Sequence, residues 1–438
     1  KQLLKLFKII TYGILVFLFV EGASKMFFHQ DDVVLLWDVV TRFPNSLWET
    51  SSGHLIFFFK PLYLIEWKLF GLHFSGFLAV SVLIHSLVIY WVGRIVFELT
   101  HSRYWQTIAT LMTVINTNFY EILWMPSSQM MSLSTLFSLL TLHLCLKYQK
   151  SKPKTSQLLL LFLVSLIPGL NWGTGLIIPL CLLIAFWNTS ITRTLFLSQI
   201  TITFLYFSLG DSQPITLNIF ESIKFVFFGI SYSIVGRYLF PLANRFFRFL
   251  TTSLFFLWLS FSVSQNIIKK VFRTNRHLVI LSILITFGSY FLISLSRWQF
   301  GLGQAGAPRY AYLPIIFLVI AITNSLAKLK LKFSTKYNLL LIVFTYTLLS
   351  LGAFVQVTVK WVERPQKNRI LFQYLQNLQP GDCIKDGYIP WYIVEVDHWT
   401  LRDIWPIFNK DFDPFGINPG CVEVKRDRPT PWSPINIP

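Results

Sequence analysis

Along most of this chain apolar residues run in blocks instead of alternating with polar ones, and the blocks recur from end to end. A helix needs roughly 20 apolar residues to cross the hydrocarbon of a bilayer. Blocks near that length fall at 6–22, 73–93, 105–121, 129–147, 157–170, 173–188, 195–210, 246–265, 277–296, 309–327 and 338–357. The pattern predicts an all-α polytopic membrane protein with about eleven transmembrane helices. The fifth and sixth blocks are short and joined by "PGLNWGTG", where Pro168, Gly169, Gly173 and Gly175 interrupt any helix. They form either a tight re-entrant-like hairpin or one long kinked span.

Composition supports the membrane class. The chain has 438 residues, of which 54% are hydrophobic and only 13% charged, where a soluble domain carries about 25% charged residues. It opens on Lys1 instead of Met, which predicts a start further upstream. The run Ile9–Val20 leads into charged and aromatic sequence without a small-residue cleavage site, so it reads as an anchor and not a signal peptide.

A formal net charge of +18 would point to nucleic acid in a soluble protein. Here its distribution points elsewhere. Lys1/Lys5/Lys8, Arg94/Arg103, Lys147/Lys150/Lys152/Lys154, Arg193, Lys269/Lys270/Arg273/Arg276 and Lys328/Lys330/Lys332/Lys336 occupy every second gap between apolar blocks. Cytoplasmic loops collect Lys and Arg. The alternation therefore predicts a cytoplasmic N-terminus and an extracytoplasmic C-terminus, and it removes the nucleic-acid reading. It also favours the hairpin at 157–188, because a single kinked span would turn Lys269–Arg276 outward.

On this threading three regions face outward. They are the loop 23–72, the loop 211–245 with an aromatic stretch suited to an interfacial amphipathic helix, and the tail 358–438. The tail is more polar and predicts a small extracytoplasmic α+β domain beside the transmembrane domain 1–357, with strands at "GYIPWYIVEV" and "GCVEV". An oxidising exterior would favour a disulfide between Cys383 and Cys421, the alternative being two buried thiols. There is no Walker loop, dinucleotide fingerprint or metal-ligand spacing. "GLGQAG" at 301–306 lacks the preceding strand that a nucleotide-phosphate loop requires.

Unusual charges gather at the outer face, in the first outward loop and at the outer ends of the third and tenth blocks. Asp31 and Asp32 stand side by side in "HQDDVVLLW", Lys60 precedes Pro61 in "FKPLYLIEWKLFG", Glu121 lies in "NFYEILW", and Arg309 and Tyr310 open the tenth block in "APRYAYLP". Charges this close to hydrocarbon are functional candidates by default. A carboxylate at the membrane surface can take the proton from an acceptor hydroxyl or amine. A cation can neutralise a phosphate leaving group. His85 reads as a packing histidine, and the tryptophans at Trp37, Trp48, Trp67, Trp124 and Trp298 as an interfacial belt. Asp38, at i+7 from Asp31, reads as part of a solvated face.

The order of these motifs resembles the GT-C class of membrane glycosyltransferases, particularly bacterial relatives of the protein O-mannosyltransferase and aminoarabinose transferase group. The features that carry the likeness are "HQDD" after the first span, "FKPLYLIEWKLFG" before "LIHSLVIYW", "TNFYEILWMPSS" after the third span, and "RYAYLP" before a late one. It covers residues 1–150 and 300–320 best. The departures are Lys60 where the class often has Arg, a single Glu121 in place of a second acidic doublet, and an unmatched tail. The resemblance implies a GT-C-like fold in a bacterial inner membrane and an inverting transfer of sugar from a polyprenyl-phosphate donor to a lipid, glycan or protein. It also implies Asp31 or Asp32 as catalytic base, Glu121 as a further acceptor contact, and Lys60, Arg309 and Tyr310 around the donor phosphate, with Tyr312 as an alternative to Tyr310. The class includes metal-dependent and metal-independent members, so the resemblance leaves a divalent cation, Mg²⁺ or Mn²⁺, open, with Asp32 and Glu121 as its candidate ligands. Two other readings stand beside the enzyme: an inactive GT-C-fold subunit of a larger membrane complex, and a transporter or polysaccharide polymerase.

Overall fold

The computed structural model describes residues 2–28, 31–50, 54–116, 118–149, 153–186, 189–209, 218–235, 267–328 and 333–362, with a few positions between 365 and 373. Among them there are helices and no strands. Five helices are long and apolar enough to cross a bilayer, at Phe74–Thr100, Pro126–Gln149, His277–Leu295, Pro308–Ala327 and Ser334–Gln356. These make the chain an α-helical membrane protein. The predicted span at 246–265, the tail strands and the pair Cys383/Cys421 lie outside the described residues.

Helix α1 (Gln2–Lys25) ends beside the acidic pair. The loop 23–72 is not an open one. It folds into α2 (Asp31–Thr41) and α3 (Phe59–Phe70), which pack on each other. Helix α2 buries Asp32, Val33, Leu35, Leu36 and Val39 and leaves Asp31, Val34 and Trp37 partly open, as a 3.6-residue period on a core requires. Gly71 closes α3 in a positive-φ conformation (φ +57°) that a side chain would strain, and α4 (Phe74–Thr100) follows at once.

The expected third span is corrected. Helix α5 runs only from Arg103 to Val114, 12 residues, where the block 105–121 predicted a crossing. At 1.5 Å per residue that is roughly 18 Å, short of the roughly 30 Å of hydrocarbon. Asn116 stops it: its side-chain carbonyl accepts the backbone N–H of Asn118 at 2.9 Å and replaces the helical bond. The single turn α6 (Tyr120–Trp124) and a 3₁₀ turn at Pro126–Ser128 lead into α7 (Gln129–Gln149).

The fifth and sixth blocks become two separate short helices, α8 (Thr155–Leu166) and α9 (Ile178–Ala185), interrupted at the Pro/Gly segment as expected. Helix α10 (Thr189–Leu209) packs against both. The aromatic stretch of 211–245 forms α11 (Ile219–Val235), packed on α12 (Ile267–Arg297) and α13 (Pro308–Ala327), and α14 (Phe333–Trp361) closes the bundle. Helix α13 is its axis, lying against α4, α5, α7, α11 and α12.

Close approach of α1 to α6 sets the face around the acidic pair. A Cβ on Gly22 would lie 2.7 Å from the Trp124 indole nitrogen, so only glycine fits there. That nitrogen donates to the Leu18 carbonyl at 3.3 Å. The chain returns after α14 to the same place: Asn368 Nδ2 donates to the Phe28 carbonyl at 2.8 Å. The Arg369 guanidinium donates to the carbonyls of Ala23, Ser24 and Met26. Carbonyls at the end of a helix have no partners within it, and Arg369 supplies them.

Candidate functional site

Helical geometry separates the acidic pair. Successive residues on a helix point about 100° apart, so Asp31 and Asp32 cannot share an environment. Asp32 is fully buried, and its Oδ1 accepts the backbone N–H of Ser127 at 2.8 Å. Its main-chain carbonyl accepts the Tyr63 hydroxyl at 3.2 Å. Asp31 keeps partial exposure and lies within electrostatic reach of Arg309.

Arg309 sits in the first turn of α13, where Pro308 occupies the first position and its missing N–H costs nothing. The capping residue Ala307 has no side chain to satisfy the turn. Glu121 from α6 does so instead, accepting the Arg309 backbone N–H on Oε2 at 3.3 Å. The same oxygen faces the Arg309 guanidinium at 3.8 Å, and Oε1 accepts the Tyr120 hydroxyl at 3.4 Å. The guanidinium also lies 5.6 Å from the Tyr310 ring centre, and the Tyr310 hydroxyl accepts Gln304 Nε2 at 3.2 Å. The structure thus brings Glu121, Arg309 and Tyr310 together, with Asp31 in electrostatic reach of Arg309.

Lys60 belongs to another group. Its side chain is 1% exposed and its ammonium meets three acceptors: Asp38 Oδ2 at 2.9 Å, the Glu49 carbonyl at 3.2 Å and the Ser46 carbonyl. An ammonium has three N–H donors, and all three are committed. The expectation that Lys60 meets a phosphate therefore has no support in its surroundings. Asp38 is not on a solvated face either, since it is buried and bridges α2 to α3.

The expected cation ligands do not fit a metal. Asp32 and Glu121 each already accept a backbone N–H. Among the described residues no three His, Cys, Asp or Glu side chains gather as ligands. His85 is a packing histidine as expected: its two ring nitrogens meet the Tyr312 hydroxyl at 2.7 Å and the Val114 carbonyl at 3.1 Å. Tyr312 consequently points into the bundle, away from Tyr310.

Two residues were missed, Arg297 and His54. Arg297, the last residue of α12, and Arg309 both bear electrostatically on His54. Burial first, and these two cations second, push the His54 imidazole down to about 3, so it stays neutral at physiological pH. Its ring lies tilted against Trp172, the ring centres 3.9 Å apart, and crowds Gly173 closely enough to exclude a Cβ. The sequence signal was Arg297 itself, a basic residue at the end of a span opposite to the basic clusters. No protein family matches the chain, and no curated protein does.

Proposed function

We propose that the protein is a GT-C-like membrane glycosyltransferase that moves a sugar from a polyprenyl-phosphate donor to an extracytoplasmic lipid, glycan or protein acceptor. The observation that carries this reading is Arg309 within electrostatic reach of two carboxylates of unequal freedom, Asp31 partly open and Glu121 tied to α13. Asp31 takes the proton of the acceptor O–H or N–H as that atom bonds to the anomeric carbon. The carbon–oxygen bond to phosphate breaks on the opposite face, and the electron pair leaves with the polyprenyl phosphate, giving inversion. Arg309, with Arg297 nearby, neutralises the departing phosphate. The site faces the exterior of a bacterial inner membrane, and the bilayer presents the donor's polyprenyl chain to it.

Proteoliposomes supplied with polyprenyl-phosphate hexose and pentose donors test this. Transfer by the wild type and its loss in Asp31→Asn are expected. Equal transfer by wild type and Asp31→Asn removes Asp31 from the mechanism.

A second reading, an inactive subunit of a larger membrane complex, is favoured by one observation: Lys60, the basic residue of the Pro-Leu motif, is consumed by Asp38.

A further inference from the structure

Glu66 has no part in the proposed transfer, yet it is the more unusual acid. It lies on α3, 1% exposed. Among the described residues it forms no ion pair. Its Oε2 accepts Gln129 Nε2 from α7 at 3.3 Å, and that nitrogen also reaches the Phe77 carbonyl and Ser81 Oγ of α4, each at 3.0 Å. The two remaining oxygens of the same two side chains, Glu66 Oε1 and Gln129 Oε1, are both buried and both without a partner.

Two unpartnered oxygens on a carboxyl and a carboxamide already joined by one N–H···O bond are what a single proton completes. The geometry points to a proton-binding site in which Glu66 is a neutral carboxylic acid, donating from Oε1 to the Gln129 carbonyl while accepting the Gln129 amide. The resulting acid–amide pair fastens α3 to α7. An ionised Glu66 would leave a buried charge with only the Gln129 amide N–H to answer it, which is far more costly than a neutral acid. The charges around it do not favour ionisation. The Tyr63 hydroxyl on α3 is itself held well above its ordinary value by burial and by Asp32 and Glu66. Asp32 on α2 is a second buried acid, Ser81 on α4 and Ser132 on α7 are neutral, and Lys60 is spent on Asp38. Burial accordingly pushes the Glu66 carboxyl up to about 9, against the lowering effect of the Gln129 bond.

The consequence does not depend on the transfer reaction. Because the folded carboxyl holds its proton to about 9 and an unfolded one releases it near 4.5, the native state binds the extra proton within that window. Stability therefore falls steadily as pH rises from the lower value to the upper one. Since α3 is tied to α2 through Lys60 and Asp38, release of this proton loosens the helix pair that carries Asp31.

The full chain in lipid nanodiscs serves for the test. Infrared difference spectra of wild type against Glu66→Gln at pH 7 should contain the carbonyl stretch of a protonated carboxylic acid, shifted by deuterium exchange and lost as pH approaches about 9. Glutamine can donate to Gln129 and accept from it just as the acid does. Glu66→Gln should thus fold, melt higher than wild type at alkaline pH, and lose the decline of melting temperature with pH. Absence of that band at pH 7, an unchanged pH profile in Glu66→Gln, or failure of Glu66→Gln to fold would each overturn the assignment.

Discussion

The Asp32 carboxylate accepts the Ser127 backbone N–H at 2.8 Å across 95 residues of chain, and this one bond gives two adjacent aspartates different work. Asp32 seats α2 on the turn before α7. Asp31, one step along the same helix, is left toward Arg309.

Removing the Asp32 side chain should therefore destabilise the fold. Asp32→Ala leaves the Ser127 N–H buried and unpaired, at a cost of about 1–3 kcal/mol. Asp32→Asn retains a side-chain carbonyl and should lose less, while Asp31→Asn should melt like the wild type. Thermal unfolding in detergent ranks the three, and equal melting of Asp32→Ala and wild type would refute the seating role.

Lys60 and Asp38 make a buried pair, so breaking it from one side should be severe. Lys60→Met abandons the Asp38 carboxylate with only Arg42, 3.3 Å away, to answer it, and the expected loss is about 3–5 kcal/mol. The double variant Lys60→Met/Asp38→Leu should recover much of it. Chemical unfolding of the single and double variants measures this coupling, and strict additivity would show the pair to be inconsequential.

Arginine at position 309 offers two N–H donors in one plane, which lysine cannot copy. On the transferase reading, Arg309→Lys should raise the donor KM by the equivalent of roughly 1.5–3 kcal/mol, and Arg309→Ala by more. The acceptor KM should stay unchanged. A wild-type donor KM in Arg309→Ala, with a lowered melting temperature, would make Arg309 only a brace for Glu121.

Arg369 reaches back to three carbonyls at the end of α1. Arg369→Ala should fray that end, with a loss of about 1.5–3 kcal/mol for hydrogen bonds to a charged group. Hydrogen exchange at the last turn of α1 should quicken there more than in α4 or α13. Uniform protection in the variant would contradict the clamp.

The membrane class was legible in the sequence because apolar run length is a one-dimensional quantity. So were the break at 167–172, fixed by proline and glycine, and the packing role of His85. The end of α5 was not: "TVINTNFYEI" is apolar enough to continue a span, and only the Asn116 side chain turning onto Asn118 ends it. The candidate acids and Arg309 stood out in the sequence as residues to watch, since a charge beside hydrocarbon needs a reason. Their division of labour depended on where other segments pass. Lys60 was taken for an open cation because nothing nearby in sequence marks Asp38 as its partner. Glu66 drew no notice within an amphipathic stretch, and its strangeness arises from Gln129 lying 63 residues away. The chain's composition and blocks determined that it is a helical membrane protein and which charges were unusual. Only the packing of α2, α3, α6 and α13 decided which charges are spent on one another and which stay open, because burial and pairing are properties of neighbours in space.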